Sequence, residues 1–235
     1  MDLSILSWGA SGWGDEFFYA TLVTLTVAIC SFLFGIILAT GAAAMKLSSY
    51  KSLHRIANAY TTIVRGIPEL LVIYLVFYGG NTLIMSIAKG VFGYNEYIEL
   101  PIFFMGVVCI GLSSGAYSTE VIRGAVLAVP TGTIEAAKAI GMSTLIRFKR
   151  ILVPQVVKYA LPGLGNVWQL TLKETSLISV IGLAEIVRVA QIGAGSEKQP
   201  FTFFLTGLIL FLLLASLSDK GYLSIEKWAN KGTRK

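Results

Sequence analysis

Four stretches of the chain are apolar, long and free of charged residues. They lie between Glu16 and Lys46, between Glu69 and Lys89, between Glu99 and Glu120, and between Lys198 and Asp219. A helix rises about 1.5 Å per residue, so roughly 20 residues cross a hydrocarbon core of about 30 Å. The pattern therefore predicts four membrane-spanning helices.

A fifth apolar stretch, from Tyr159 to Leu183, is interrupted past its middle by Lys173 and Glu174. Charges at that depth are unfavourable in lipid, so hydropathy alone does not decide whether this stretch spans the membrane. Five spans with an external N-terminus place most basic residues in cytoplasmic segments: Lys46, Lys51, Arg55, Arg123, Lys138, Arg147, Lys149, Arg150, Lys220, Lys227, Lys231, Arg234 and Lys235. With four spans, the basic tail would lie outside, against the usual enrichment of Lys and Arg in cytoplasmic loops.

We therefore predict an all-α membrane protein with five transmembrane helices, an external N-terminus and a cytoplasmic C-terminus. The expected spans cover residues 17–45, 63–88, 101–124, 157–183 and 200–218 of a single transmembrane domain, 1–235. The longest cytoplasmic loop, 126–154, joins the third and fourth spans.

Composition agrees with this fold class. Of 235 residues, 55% are hydrophobic and 14% are charged, and the mean hydropathy is +0.73. A soluble domain would carry roughly 25% charged residues. The net charge of +6 follows from the loop asymmetry, so it indicates membrane lipid rather than nucleic acid as a partner. No metal site is expected, because Cys30 and Cys109 both fall in predicted spans, where they suit packing.

The third predicted span is more polar than membrane anchoring requires. Ser113, Tyr117 and Glu120 share one helical face at i, i+4 and i+7. Gly111 and Gly115 form a G-x-x-x-G pair that allows another helix to approach closely. An arginine one turn below, at position 123, is a candidate ion-pair partner for Glu120.

The second and fourth predicted spans add further polar side chains. Asn166, Gln169 and Lys173 repeat at three- and four-residue spacing, and Glu174 follows about 100° round the helix. Glu69 lies directly after Pro68, where the second span is expected to start or bend. Hydrogen bonds and ion pairs between helices explain such residues, and so does a water-filled path for a polar solute, which accounts for the whole set together.

The cytoplasmic loop contains a short helix predicted over residues 134–140, rich in alanine and ended by Gly141 through a positive φ. Glu135, Ala136 and Ala137 give it a thin face of small side chains that a groove of another protein can accept. An interfacial helix lying on lipid is the alternative, and it suits the basic residues after Gly141 better than it suits Glu135. Pro154 is expected to mark re-entry into the membrane.

This loop resembles the signature loop of ABC importer permeases. The resemblance lies in Glu135-Ala136-Ala137, in Gly141, and in the segment from Ile151 to Pro154, where Val153 replaces the usual leucine. The segments "RGIPELL", "GAYSTEVIRGA", "VPTGTIEAAKAIGM" and "LKETSLISVI" are similar to the polar amino-acid branch, which includes permeases for histidine, arginine, glutamine and opines.

The resemblance implies a bacterial inner-membrane importer built from several proteins. A periplasmic binding protein delivers the solute, two permease subunits, here expected to be a heterodimer, form the path, and a cytoplasmic ATPase dimer supplies energy. The helix around Glu135 to Gly141 would couple to the ATPase. No cofactor is expected in this chain, because it lacks a G-x-x-x-x-G-K-[ST] phosphate loop and ATP and Mg²⁺ would bind the partner.

Two other function classes fit the sequence less well. A self-sufficient ion-coupled carrier would use Glu120 and Glu174 as proton sites, but the chain shows no second repeat or broken-helix pair. A membrane-embedded hydrolase lacks a catalytic set, because His54 is the only histidine and lies in a loop.

Overall fold

The computed structural model describes residues 3–9, 12–93, 96, 98 and 100–229. Throughout these ranges the regular structure is helical and contains no strand, so the predicted all-α class is confirmed there. After a 3₁₀ turn, Leu3–Leu6, the helices are α1 Gly14–Leu47, α2 Lys51–Gly66, α3 Glu69–Phe92, α4 Ile102–Leu127, α5 Thr131–Ala139, α6 Thr144–Ile181, α7 Ile186–Glu197 and α8 Pro200–Ala229. Three residues of the predicted basic tail, Lys231, Arg234 and Lys235, lie outside the described ranges.

Helices α1, α3, α4 and α8 are each long and apolar enough to cross a membrane. A fifth candidate span is the bent pair of α6 and α7, whose axes meet at 48°. Gly182 lies in the break between the two and has a φ of 96°, which an L side chain rarely adopts. The four or five candidate spans agree with the five that the sequence predicts.

Three helix boundaries differ from the predicted spans, and one is the end of α8, which continues to Ala229 instead of ending at residue 218. The second span does break at Pro68, so its membrane helix begins at Glu69, and the residues before it form the separate helix α2. The fourth span was expected from residue 157, but α6 begins at Thr144 and continues through Pro154. A wide turn allows this, because Val153 N–H bonds to the Phe148 carbonyl five residues back, immediately before the proline.

Close contact between α1 and α4 forms the centre of the fold. A Cβ on Gly111 would lie 2.5 Å from Cδ1 of Phe34, and one on Gly115 would lie 3.2 Å from the Gly35 carbonyl oxygen. The predicted close helix approach at this G-x-x-x-G pair is therefore confirmed, with α1 as the neighbour. Tyr60 of α2 braces the same contact, because its hydroxyl donates to the Leu112 carbonyl at 2.7 Å.

Helix α7 was not predicted from the sequence. Its first turn is capped by the buried Glu185 carboxylate, which accepts the backbone N–H groups of Val187 at 2.9 Å and Arg188 at 2.8 Å. The Ile186 N–H donates to the Thr24 hydroxyl of α1 at 3.3 Å. Apolar side chains of α7 then pack with α1 and with the fully buried Phe203 of α8.

Candidate functional site

Helix α5 has the local structure that the sequence predicts. It ends in a glycine cap, in which Gly141 has a φ of 78°. The Met142 N–H donates to the Ala137 carbonyl at 3.1 Å, and the Gly141 N–H donates to the Lys138 carbonyl at 2.9 Å. This pair of bonds satisfies two carbonyl groups at the helix end and turns the chain sharply toward α6.

The outer face of α5 is exposed and built from small side chains. Ala137 is turned inward and is 4% exposed, whereas Glu135, Ala136 and Ala139 face outward. Ile140, at the end of this face, is 78% exposed. A large apolar side chain displayed beside two alanines on a short protruding helix is typical of a contact surface for another protein.

Side-chain hydrogen bonds link α5, and the segment that follows it, to the first turns of α6. The Gln155 amide donates to the Thr133 hydroxyl at 3.4 Å. The Arg147 guanidinium donates to the Met142 carbonyl at 3.4 Å and to the Thr144 hydroxyl at 3.3 Å. From there α6 continues as one helix, past the half-buried Ile151 and the exposed Pro154, to Ile181. The helix that contacts α5 through Gln155 is therefore the same helix that continues into the membrane-spanning part of α6.

A polar cluster lies where α2, α3, α4 and α6 meet and consists of Arg65, Glu69, Tyr117 and Glu174. Glu174 is 6% exposed, and its carboxyl group is close enough to that of Glu69 for the two charges to interact. The Tyr117 hydroxyl donates to Oε1 of Glu69 at 3.4 Å. The Arg65 guanidinium carbon stands 5.3 Å from the centre of the Tyr117 ring, a cation–π distance.

The polar cluster is short of positive charge where its two carboxyl groups meet. Oε1 of Glu174 is buried without a hydrogen-bond partner, and the described residues form no salt bridge with either Glu69 or Glu174. Adjacent carboxylates in a poorly hydrated site repel each other unless a proton or a cation lies between them. This arrangement suits a cationic group of a solute.

Glu120 belongs to a different network. Its carboxylate forms ion pairs with Lys46 of α1 and, at 3.0 Å, with Arg123. Lys46 also donates to the Thr61 hydroxyl of α2 at 2.6 Å. The predicted pairing with Arg123 is confirmed, and the more deeply buried partner, Lys46, was missed. The Glu120 side chain thus ties α1, α2 and α4 together.

The remaining predicted path residues are dispersed. Lys173 is exposed and lines a cavity of about 290 Å³ between α6, α7 and α8, so it does not share the surroundings of its neighbour Glu174. The Gln169 amide donates to the Ala215 carbonyl of α8 at 3.2 Å, which is a bond between helices. Asn166 is exposed, and Ser113 is buried.

One hydrogen bond between two spanning helices could not be predicted from the sequence. The Thr171 hydroxyl of α6 lies 3.0 Å from the Ser114 hydroxyl of α4, and it also lies 2.8 Å from the Val167 carbonyl in its own helix. Ser and Thr in spanning helices commonly bond only to their own backbone, so their spacing does not identify a partner. Among the described residues, no group of three or more His, Cys, Asp or Glu side chains is arranged to hold a metal ion.

Comparison with known proteins places most of the chain in one family. Residues 31–228 match the model of the binding-protein-dependent transport system inner membrane component. The nopaline transport system permease protein NocQ of Agrobacterium fabrum is 60% identical over 234 residues, which cover 100% of this chain and 99% of the relative. The octopine transport system permease protein OccQ of Rhizobium radiobacter is 46% identical over 236 residues, with 100% and 99% covered.

A solved structure agrees with the fold. The crystal structure of an amino acid ABC transporter with histidines has a chain that superposes with a TM-score of 0.77 at 29% sequence identity. The superposition covers 92% of this chain and 94% of the other.

Proposed function

The chain belongs to the family of binding-protein-dependent transport system inner membrane components, and from this premise we infer how its two sites serve import. It is a multi-pass permease subunit of an ABC importer of the bacterial inner membrane, and the ATPase activity resides in a separate subunit. Its relatives and structural neighbours are subunits of such transporters, so the ion-coupled carrier is set aside.

We propose that the solute is an opine or another polar amino-acid derivative with a cationic group. Two relatives named for nopaline and octopine cover the whole chain and support this class. The observation that carries the proposal is the partnerless Oε1 of Glu174 beside Glu69, because a guanidinium or ammonium group neutralises both carboxylates. Tyr117 supplies a hydroxyl and an aromatic face at the same place.

We also propose the sidedness and the partners. The N-terminus lies outside, the tail and loop 126–154 lie in the cytoplasm, and α5 docks into a cleft of the ATPase, which holds ATP and Mg²⁺. A second, different permease subunit completes the path, and a periplasmic binding protein delivers the solute. The exposed face of Ala136, Ala139 and Ile140 supports the docking role, because it is a compact apolar surface.

The continuity of α6 would couple ATP binding in the ATPase to movement at the polar cluster. When the ATPase closes on ATP, it moves α5, and the hydrogen bonds to Thr133 and Met142 carry that movement to α6. Glu174 then shifts relative to Glu69, since α3 is a separate element. The solute and the ATPase each favour one of two arrangements, so ATP binding changes the affinity for the solute. The free energy of ATP hydrolysis in the partner makes the cycle run toward import.

The test is uptake into vesicles that contain the importer assembled with its cognate subunits. Glu135→Arg places a bulky cation on the docking face, so it abolishes ATP-dependent uptake of labelled opine without changing membrane insertion. Asp219→Arg, an equal charge reversal at an exposed position of α8, is the control and keeps normal uptake. Normal uptake by Glu135→Arg contradicts the docking role, and uptake of opines no better than of neutral amino acids contradicts the solute class.

A further inference from the structure

An apolar cavity of about 410 Å³ lies apart from both sites described above. Its wall consists of the last turns of α1 and α4 and the first turns of α6, from Phe148 to Leu164. Thr40 is the only lining residue with a polar side chain, and its hydroxyl donates to the Ile36 carbonyl at 2.8 Å. The lining side chains thus leave no hydrogen-bonding group unused, so the occupant that fits is hydrocarbon. We name this space the inner-leaflet cavity.

The inner-leaflet cavity opens to the outer surface of the helix bundle. At its edge Phe148 is 51% exposed and Val157 is 49% exposed, and Ala44 lines the wall and is exposed too. Its volume falls within the range of about 300–1,000 Å³ that is common for small-molecule sites. In a spanning protein, an apolar groove open to this surface faces lipid chains.

The mouth of the inner-leaflet cavity is basic. Lys149 precedes the lining residue Val153 by one helical turn, so both lie on the same side of α6, and Arg150 follows directly. Both cations are exposed, and the described residues include no salt-bridge partner for either. Residues 142–164 contain no Asp or Glu. A hydrocarbon space below two unneutralised cations matches the acyl chain and phosphate of an anionic lipid.

We propose that the inner-leaflet cavity binds one acyl chain of an anionic phospholipid, whose phosphate lies against Lys149 and Arg150. The proposal rests on the proposed orientation, in which this mouth lies at the headgroups of the cytoplasmic leaflet. The bound chain lies between α1 and α6, directly beside the segment that joins α6 to α5. Occupancy therefore resists the movement of α6 and makes the transport rate depend on anionic lipid.

Photolabelling tests the proposal on the importer assembled with its cognate subunits in lipid nanodiscs. The probes are phosphatidylglycerol and phosphatidylcholine, each with a photoreactive group in one acyl chain, and labelled peptides are identified by mass spectrometry. In the unmodified protein, label falls on residues of the inner-leaflet cavity, and phosphatidylglycerol is preferred. Lys149→Gln and Arg150→Gln each reduce that preference about fivefold, whereas Lys51→Gln and Arg55→Gln remove equal charge from α2 and leave it unchanged.

Filling the cavity gives a second, independent readout. Ala44→Phe places a ring in the space and reduces labelling at least fivefold, whereas Ile37→Phe, on the exposed outer face of α1, does not. Equal labelling of these two variants, or equal labelling by both lipids, overturns the proposal. So does a crosslink from a cysteine at position 44 to another permease subunit, since protein then covers the cavity. Opine uptake is measured in the same nanodisc preparation after transfer to vesicles, so a failed solute assignment with intact lipid labelling is recognised separately.

Discussion

Replacing Glu120 with glutamine tests the three-helix ion-pair network directly. The change keeps the shape of the side chain but leaves the Lys46 ammonium group, whose side chain is 6% exposed, without a negatively charged partner; only neutral oxygens, such as the Thr61 hydroxyl, remain to accept its hydrogen bonds. Breaking one side of a buried ion pair costs about 3–5 kcal/mol, because the remaining charge is uncompensated. For a chain of this length, that corresponds to a fall of roughly 10 °C in the unfolding midpoint.

The assay is thermal unfolding of the purified importer in detergent, with Asp219→Asn as the matched control at an exposed position of α8. The double variant Glu120→Gln with Lys46→Met removes the unpaired charge, so it should recover at least about 2 kcal/mol of the loss. Two results refute the reasoning: a Glu120→Gln midpoint equal to that of Asp219→Asn, or a double variant whose loss is the sum of the two single losses.

Three further predictions concern helix contact, capping and solute binding. Gly111→Leu forces a side chain against Phe34 and lowers stability by about 1–3 kcal/mol, measured as a thermal midpoint. Glu185→Ala leaves two N–H groups of α7 without their acceptor and lowers stability by about 1–2 kcal/mol in the same assay. Glu174→Gln and Glu69→Gln each remove one charge facing the solute, so the KM for a cationic opine rises about tenfold or more in uptake kinetics.

Each of these predictions has its own contradicting result. Gly124 lies in the same helix as Gly111, but no neighbouring atom lies within 4 Å of where its Cβ would be, so Gly124→Leu should be neutral. An equal loss of stability at both glycines contradicts the contact argument. An unchanged midpoint for Glu185→Ala shows that the cap is dispensable. Unaltered KM values for both glutamine variants place the solute away from the polar cluster.

Local signals in the sequence predicted much of the fold. Charge-free runs located four spans, because a charge within lipid is costly wherever it occurs in the chain. Gly141 marked the end of α5, since a glycine cap depends only on the residues beside it. Pro154 was misleading, because the wide turn after Phe148 lets α6 pass through it.

Contacts between residues that are far apart along the chain could not be predicted from the sequence. Lys46 and Glu120 are 74 positions apart, and the charge pattern offered the nearer Arg123 as the partner. Helical spacing showed that Lys173 and Glu174 face different directions, but only the packing of α6 shows that Glu174 meets Glu69. Helix α7 was not predicted because part of its support is a tertiary contact. Glu185 caps its first turn, and its Ile186 N–H bonds to Thr24 of the distant helix α1.

The central claim is that α5 is held by the ATPase, and a disulfide crosslink tests it most directly. A cysteine replaces the exposed Ala139 in an importer from which Cys30 and Cys109 have been removed, and partner cysteines are placed along the ATPase cleft. We expect a crosslink whose yield changes when ATP binds, because the ATPase moves α5. The claim is contradicted if no ATPase position is crosslinked with or without ATP, or if the cysteine is labelled by a membrane-impermeant reagent from the periplasmic side.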